Sequence, residues 1–361
     1  MAPIGMAHQC TCDDHGNCTD KWCLTHDQSF LPPLGQSSNS RAVKDLLIEM
    51  ICNCCLPRVI SHIVSVREEC PDVKMFIAKT DVTKACQRET QEANSAAACV
   101  AQFQDLAFLA LRLTFGGSFC PPAWTAISEM MTDLANDILH CPDWDPNESH
   151  SPMQDDLPTP RPLPDDIPFA KALPTAIRSH PATWGTVDSF IDDFIAVVPD
   201  IGDNLHRGSA VVPLVLHLFG RPVHPDEPVP RPNLMSLNKM EAEGAMEEMK
   251  IVLGWLLDTR RLMTSLPEEK HTTWVRDIEE AIEKKGLRMD SLVSIAGRLN
   301  HSACIVPTLR HFLHRLRAIE CSKRPPRSWM PLNDPLLHDF KLFTTFLDRA
   351  KAGVSFNNIT F

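Results

Sequence analysis

Two adjacent carboxylates lie between two β-prone runs in Val187-Asp188-Ser189-Phe190-Ile191-Asp192-Asp193-Phe194-Ile195-Ala196-Val197-Val198. Like charges at contact distance repel, so such a pair is costly unless something neutralises it. The flanking runs predict a hairpin with Asp192 and Asp193 at its tip. A third carboxylate, Asp81, ends the segment Val73-Lys74-Met75-Phe76-Ile77-Ala78-Lys79-Thr80-Asp81, which reads as a buried strand. One sheet could bring the three acids together. A divalent cation would then offset their repulsion, and carboxylates plus substrate phosphates are the usual partners of Mg²⁺. An Asp-Asp pair alone is most often a solvated turn; the flanking strands and Asp81 give this one its weight.

The rest of the chain divides by periodicity. Residues 8–30 read as a polar hairpin around Asp14-His15-Gly16-Asn17, and 41–66 as helical. A strand is expected over 107–114, running into Phe115-Gly116-Gly117. Pro121 and Pro122 open a helix with Trp124, Ile127, Met131, Leu134 and Ile138 on one face. Ten prolines over 142–181 mark a long surface loop. Pro222 to Pro232 is a second proline-rich stretch, followed by a helix from about Lys239. The C-terminal third reads as three short amphipathic helices, the first with a Ser265–Glu268 capping box and the third starting at Pro307. Such helices cannot bury their apolar stripes singly, so a small bundle is expected.

A net charge of −11 argues against a simple nucleic-acid binder, because phosphate contacts need Lys and Arg. The charge is unevenly spread. From Lys284 to Arg327 ten cations face Asp290 and Glu320, a local +8, which could hold a nucleic-acid backbone. No basic region precedes an apolar stretch at the N-terminus, and the apolar run Ala210–Phe219 is too short to span a bilayer. A soluble intracellular protein is expected, its 14 cysteines reduced. Cys10, Cys12, His15, Cys18, Cys23 and His26 crowd the N-terminus, but they lack a Cys-x-x-Cys pair, so zinc is not expected.

Several blocks together resemble one family. Lys79-Thr80-Asp81-Val82-Thr83-Lys84-Ala85 is similar to the first polymerase motif of reverse transcriptases. Leu113-Thr114-Phe115-Gly116-Gly117-Ser118-Phe119-Cys120-Pro121 resembles the nucleotide-facing motif of gypsy-like and DIRS-like retrotransposons, and Phe190-Ile191-Asp192-Asp193 resembles the Tyr-x-Asp-Asp box. Leu253-Gly254-Trp255 is similar to the primer-gripping hairpin. Ser265–Lys270 with Gly297–His301 looks like the thumb of DIRS-type polymerases. The blocks keep the family's order over roughly residues 10–355.

The resemblance implies an α+β chain with the right-hand polymerase fold: fingers and palm sheet over 1–265, a helical thumb over 266–330, and the start of a connection over 331–361 without RNase H. It implies an RNA-directed DNA polymerase using two Mg²⁺ ions, an RNA or DNA template with primer, and deoxynucleoside triphosphates. Asp81 and Asp192 would be metal ligands and Asp193 the third acid. Lys239 stands where a lysine often protonates pyrophosphate; an exposed lysine at a helix start is the plainer reading. Lys21 and the Val82 backbone would meet the triphosphate, with Phe115 and Gly116 lining the nucleotide pocket. Three departures are visible. Cys23, after Lys21-Trp22, replaces a clamping Arg; Cys86 replaces the aromatic ring that excludes the ribose 2′ hydroxyl; Phe190 replaces Tyr. With the complete absence of tyrosine, they keep open an alternative, a degenerate relic of the same fold without turnover.

Overall fold

A computed structural model describes residues 2–12, 18–31, 35–114, 116–173, 184–220, 234–322 and 324–359, the part before residue 27 as backbone only. The chain forms two compact units, the first of residues 1–62, 75–162 and 179–247, the second of 63–74, 163–178 and 248–361.

In the first unit β1 (Ala2–Cys12) and β2 (Cys18–His26) pair antiparallel, the hairpin expected from 8–30; the turn residues 13–17 lie outside the described residues. A short helix α1 (Ser38–Arg41) follows. The helix expected from 41 forms only as α2 (Cys55–Glu69), which continues into the second unit, and residues 44–54 make two isolated 3₁₀ turns. Pro57 explains the late start. Proline fits the first turn of a helix, but in an interior it lacks the N–H and clashes with the preceding turn.

Next come β3 (Met75–Asp81), α3 (Ala93–Ala98), β4 (Ala101–Phe103) and β5 (Leu106–Phe108). β4 and β5 extend the first hairpin in the order β2-β1-β4-β5. The strand expected over 107–114 stops at Phe108. Beyond it Gln91 takes the carbonyls: its N–H bonds Leu111 at 2.9 Å and its amide Nε2 bonds Arg112 at 2.6 Å. Residues 111–113 are thus bridged antiparallel to 89–91 through Thr90 and Arg112, with the Leu113 N–H on the Glu89 carbonyl at 3.0 Å, and do not continue β5.

The helix α4 (Cys120–Leu139) begins at the predicted prolines. After it, residues 142–173 contain neither α-helix nor strand, as the proline run predicts, and 174–183 lie outside the described residues. Arg207 anchors the start of this loop, donating to the carbonyls of Leu139 (3.0 Å), Cys141 (2.5 Å) and Trp144. The hairpin β6 (Thr186–Phe190) and β7 (Asp193–Pro199) then adds to β3 in the order β3-β7-β6. α5 (Asn204–Gly220) crosses this sheet, and Gly208 lets it approach: a Cβ there would lie 2.3 Å from Val198. Phe76, Trp124, Met131, Val187, Phe194, Val198, Val211 and Val215 fill the core between sheet, α4 and α5. The stretch 222–232 lies outside the described residues, and α6 (Leu237–Glu243) closes the unit.

The second unit opens with β8 (Met249–Val252), β9 (Trp255–Asp258) and β10 (Met263–Ser265). α7 (Glu268–Glu283) starts after Pro267 without a side-chain cap. The capping box does not form because the helix starts too late for it: Pro267 is the N-cap, and Ser265, two residues earlier, ends β10 paired with Leu256. β11 (Gly286–Arg288) and α8 (Met289–Ser302) follow; Pro307–Phe312 makes a 3₁₀ turn, so the third helix, α9 (His314–Glu320), starts later than expected. Where three helices were expected, a fourth joins them. β12 (Trp329–Pro331) pairs with β11, α10 (Asp334–Ala352) packs along α7, and β13 (Val354–Ser355) pairs with β10. Residues 331–359 thus lie in the same compact unit as the preceding helices. Among the described residues no helix is long and apolar enough to cross a membrane.

Candidate active site

The β6–β7 turn is two residues long, Ile191 and Asp192, because Phe190 pairs with Asp193. Ile191 has φ 56°, a conformation that strains a β-branched residue and persists only when the surroundings impose it. They do. Trp124 of α4 donates its indole N–H to the Ile191 carbonyl at 2.8 Å, and the Val82 N–H bonds the Asp192 carbonyl at 3.0 Å. Behind the turn Arg58 of α2 grips Asp188 of β6 through two bonds of 2.6 and 2.5 Å.

Register completes the cluster. β3 runs antiparallel to β7 so that Asp81 faces Asp193, with Asp192 one residue away in the turn. The three sequence-predicted acids therefore meet at one sheet end. Lys239 joins them: its Nζ lies 2.6 Å from Asp81 Oδ2. Although half-exposed, it is engaged rather than simply solvated. Sequence reasoning missed two partners. Lys79, two residues before Asp81 and so on the same strand face, places Nζ 3.5 Å from Asp193 Oδ2 and 2.9 Å from Glu243 Oε2. Glu243 is four residues after Lys239, on the same face of α6.

Charge is under-neutralised here. Burial, then Asp192 and Asp81, outweigh Lys79 and push the Asp193 carboxyl up to about 6. Asp192 is raised by burial and by Asp81. For Lys79 burial works downward, yet Asp193 and Glu243 prevail and hold the ammonium above its usual value. Lys239 is likewise raised by Asp81 against burial. Four carboxylates against two ammonium groups leave a formal excess of two negative charges. By donor chemistry this set suits a hard divalent cation. It is not a closed ligand set as it stands: among the described residues no three His, Cys, Asp or Glu side chains converge on a point a metal ion could occupy. Asp81 is turned to Lys239 and Asp193 to Lys79.

The remaining predicted residues divide. Cys86 is half-buried beside the cluster, its thiol pushed up by burial and by Asp192. The Val82 N–H does not face an open site, since Asp192 already accepts it. Gly116 (φ 106°) belongs to another turn, held by Asn39, whose Nδ2 bonds the Gly116 carbonyl at 3.0 Å and whose Oδ1 accepts the Ser118 N–H at 2.7 Å. Phe115 and the side chains of Lys21, Cys23 and the N-terminal Cys/His group lie outside the described residues.

No family model and no curated protein matches the chain. Solved structures do. The foamy viral protease-reverse transcriptase in complex with RNA/DNA hybrid aligns over 97% of this chain and 34% of its own, with TM-score 0.53 and 12% identity. The foamy viral protease-reverse transcriptase dRH in complex with ds DNA aligns over 97% of this chain and 44% of its own, with TM-score 0.47 and 11% identity. The chain thus spans less than half the length of either. The first likeness shows the fold: a mixed α and β, reverse transcriptase-like fold.

Proposed function

We propose that the chain is the polymerase region of a DIRS-like or gypsy-like retroelement reverse transcriptase, extending a primer on an RNA or DNA template. In this reading the β2-β1-β4-β5 sheet acts as fingers, β3-β7-β6 as palm, and α7 to α9 as thumb. The observation that carries it is the register of Asp81 against Asp193 beside Asp192. A polymerase needs carboxylates from separate chain segments close together, and this register brings the three aspartates to one end of the sheet.

Asp81, Asp192 and Asp193 would hold Mg²⁺, which when bound lowers the barrier to attack by the primer 3′ hydroxyl and stabilises the leaving pyrophosphate. The 3′ oxygen forms its bond to the α-phosphorus as the bond to pyrophosphate breaks. Lys239, charged and bonded to Asp81 while no ion is bound, would give its proton to that leaving group after it has left Asp81. Phe115 and Gly116 would line the nucleotide pocket, Lys21 would meet the triphosphate, and Cys86 leaves room at the sugar where a ring would exclude ribonucleotides. An intracellular location follows from this role.

Primer extension on an RNA template with Mg²⁺ tests the reading. Asp192→Asn and Asp81→Ala should each abolish extension while keeping the fold, since each removes charge stabilisation from the transition state. Wild-type rates in either variant would remove the assignment. The Cys23 and Cys86 departures favour one second reading, a relic that binds nucleic acid without turnover; salt-dependent binding with no extension by the parent chain would select it.

A further inference from the structure

The side of α6 that carries Lys239 and Glu243 reaches the acid cluster at two points. Lys239 bonds Asp81 directly at 2.6 Å, while Glu243 holds Lys79 at 2.9 Å, closer than Lys79 lies to Asp193 at 3.5 Å. Two ammonium groups therefore stand against two of the three acids, and one of them already has a second carboxylate to retreat to. Lys79 and Asp193 are both largely shielded, with side chains 16% and 19% exposed, whereas Lys239 and Glu243 are about half-exposed and so free to move away from the acids.

We propose that Lys79 and Lys239 are exchangeable counter-ions of the acid cluster, and that α6 is the latch which sets how tightly a divalent cation binds there. The inference rests on the reading of Asp81, Asp192 and Asp193 as a cation site. It explains why right donors in the right register still fail to form a ligand set. A carboxylate oxygen directed at an ammonium group cannot use the same lone pair for a cation, and two cations side by side repel. Binding then requires Lys239 to leave Asp81 and Lys79 to withdraw onto Glu243. Glu243, far from any ligand role, becomes the acceptor that lets Asp193 go. Lys79 and Glu243 are positioning residues here: they act through the acids.

The sign pattern is specific. Lys79→Met and Lys239→Met each remove a competitor and should tighten cation binding about ten- to hundredfold, the worth of one hydrogen bond to a charged group. Glu243→Gln leaves Lys79 with Asp193 alone and should weaken it. Lys84→Met removes the same charge from an exposed neighbouring lysine, and should change little if bonded competition rather than general charge is responsible.

The measurement is Mn²⁺ binding to the full chain without nucleotide, followed by electron paramagnetic resonance, with Asp192→Asn as reference and Lys79→Gln as a second variant at that position. The expected result is binding lost in Asp192→Asn, tightened in both lysine-to-Met variants and in Lys79→Gln, weakened in Glu243→Gln and unchanged in Lys84→Met. If Asp192→Asn loses binding but the Lys79 and Lys239 variants bind as the parent does, the latch is wrong and the cation site stands. Equal tightening by Lys84→Met also overturns the latch. If Asp192→Asn binds like the parent, or nothing binds in any variant, the cation site itself is wrong and the latch goes with it.

Discussion

His62 of α2 is 4% exposed, and its Nε2 is buried without a hydrogen-bond partner. Burial, then the neighbouring His140, lower its pKa to about 4. The folded protein therefore keeps the imidazole neutral where an unfolded chain, with a pKa of about 6.5, takes up a proton. The unfolded state binds more protons between pH 6.5 and 4, so stability is complete above pH 6.5 and is lost as pH falls through that window, by at most about 3 kcal/mol. His62→Phe, similar in volume and unable to ionise, should flatten this part of the profile. Urea midpoints at pH 7 and 4.5 decide it: an equal drop in parent and variant would show that another group is responsible.

Among the elements, the β8–β9 turn shows how one residue type governs a hairpin. Val252 pairs with Trp255, leaving Leu253 (φ 48°) and Gly254 (φ 82°), both left-handed as a two-residue type I′ turn requires. The turn is roofed by helices of its own unit. Lys270 of α7 donates to the Gly254 carbonyl at 3.3 Å, and His301 of α8 stacks on Trp255 with ring centroids 4.8 Å apart. A Cβ at Gly254 would lie 2.3 Å from Lys270 Nζ and 3.3 Å from His301 Nε2. The lysine can swing aside, but the backbone cannot relax as easily, and a left-handed non-glycine residue costs about 1–2 kcal/mol. Gly254→Ala should lower stability by about that much, with a small surplus that disappears in a Lys270→Ala background. A Gly254→Ala variant as stable as the parent would show that the turn has another conformation available.

For the whole molecule the issue is charge. The stretch from Lys284 to Arg327 carries a local +8 in the sequence, and acids outside the stretch offset three of those charges. Arg298 pairs with Asp277, Lys284 with Glu280, Arg288 with Asp290, and Arg315 with both oxygens of the buried Asp339 at 2.8 Å. Three of those acids lie outside the stretch. Arg310 is exposed and is not in any of these pairs. If this unit holds a nucleic-acid backbone, Arg310→Ala should reduce the salt slope of binding by roughly 0.7–0.9 per lost phosphate contact. Arg315→Ala should leave the slope alone and destabilise the fold by about 1–3 kcal/mol, because a buried carboxylate loses its partner. The reverse pattern, read by salt titration and thermal melts, would show that Arg315 is the contact and Arg310 only solvated surface.

Local patterns carried the parts that local physics governs. Alternating and apolar runs around an acid pair can do little but turn, so the β6–β7 hairpin was legible, as were β3 ending at Asp81 and the α4 start at Pro121 and Pro122. The resemblance located Lys239, but its contact with Asp81 spans 158 residues of chain and no periodicity announces it. Lys79 could have been found from the two-residue spacing that puts it on the face of Asp81; Glu243 could not, because its meaning depends on where α6 docks. The shortened strand after Phe108 and the unformed capping box share one cause, which the lost start of the 41–66 helix does not. Each backbone group bonds with whichever partner the fold brings near: residues 89–91 take 111–113, and β9 takes Ser265 into its sheet, two residues before the helix cap. The exception is the helix start, where Pro57 lay in plain view. Charge behaves likewise: residues can be counted along the chain, but which lysine neutralises which aspartate is settled by the distances that packing imposes.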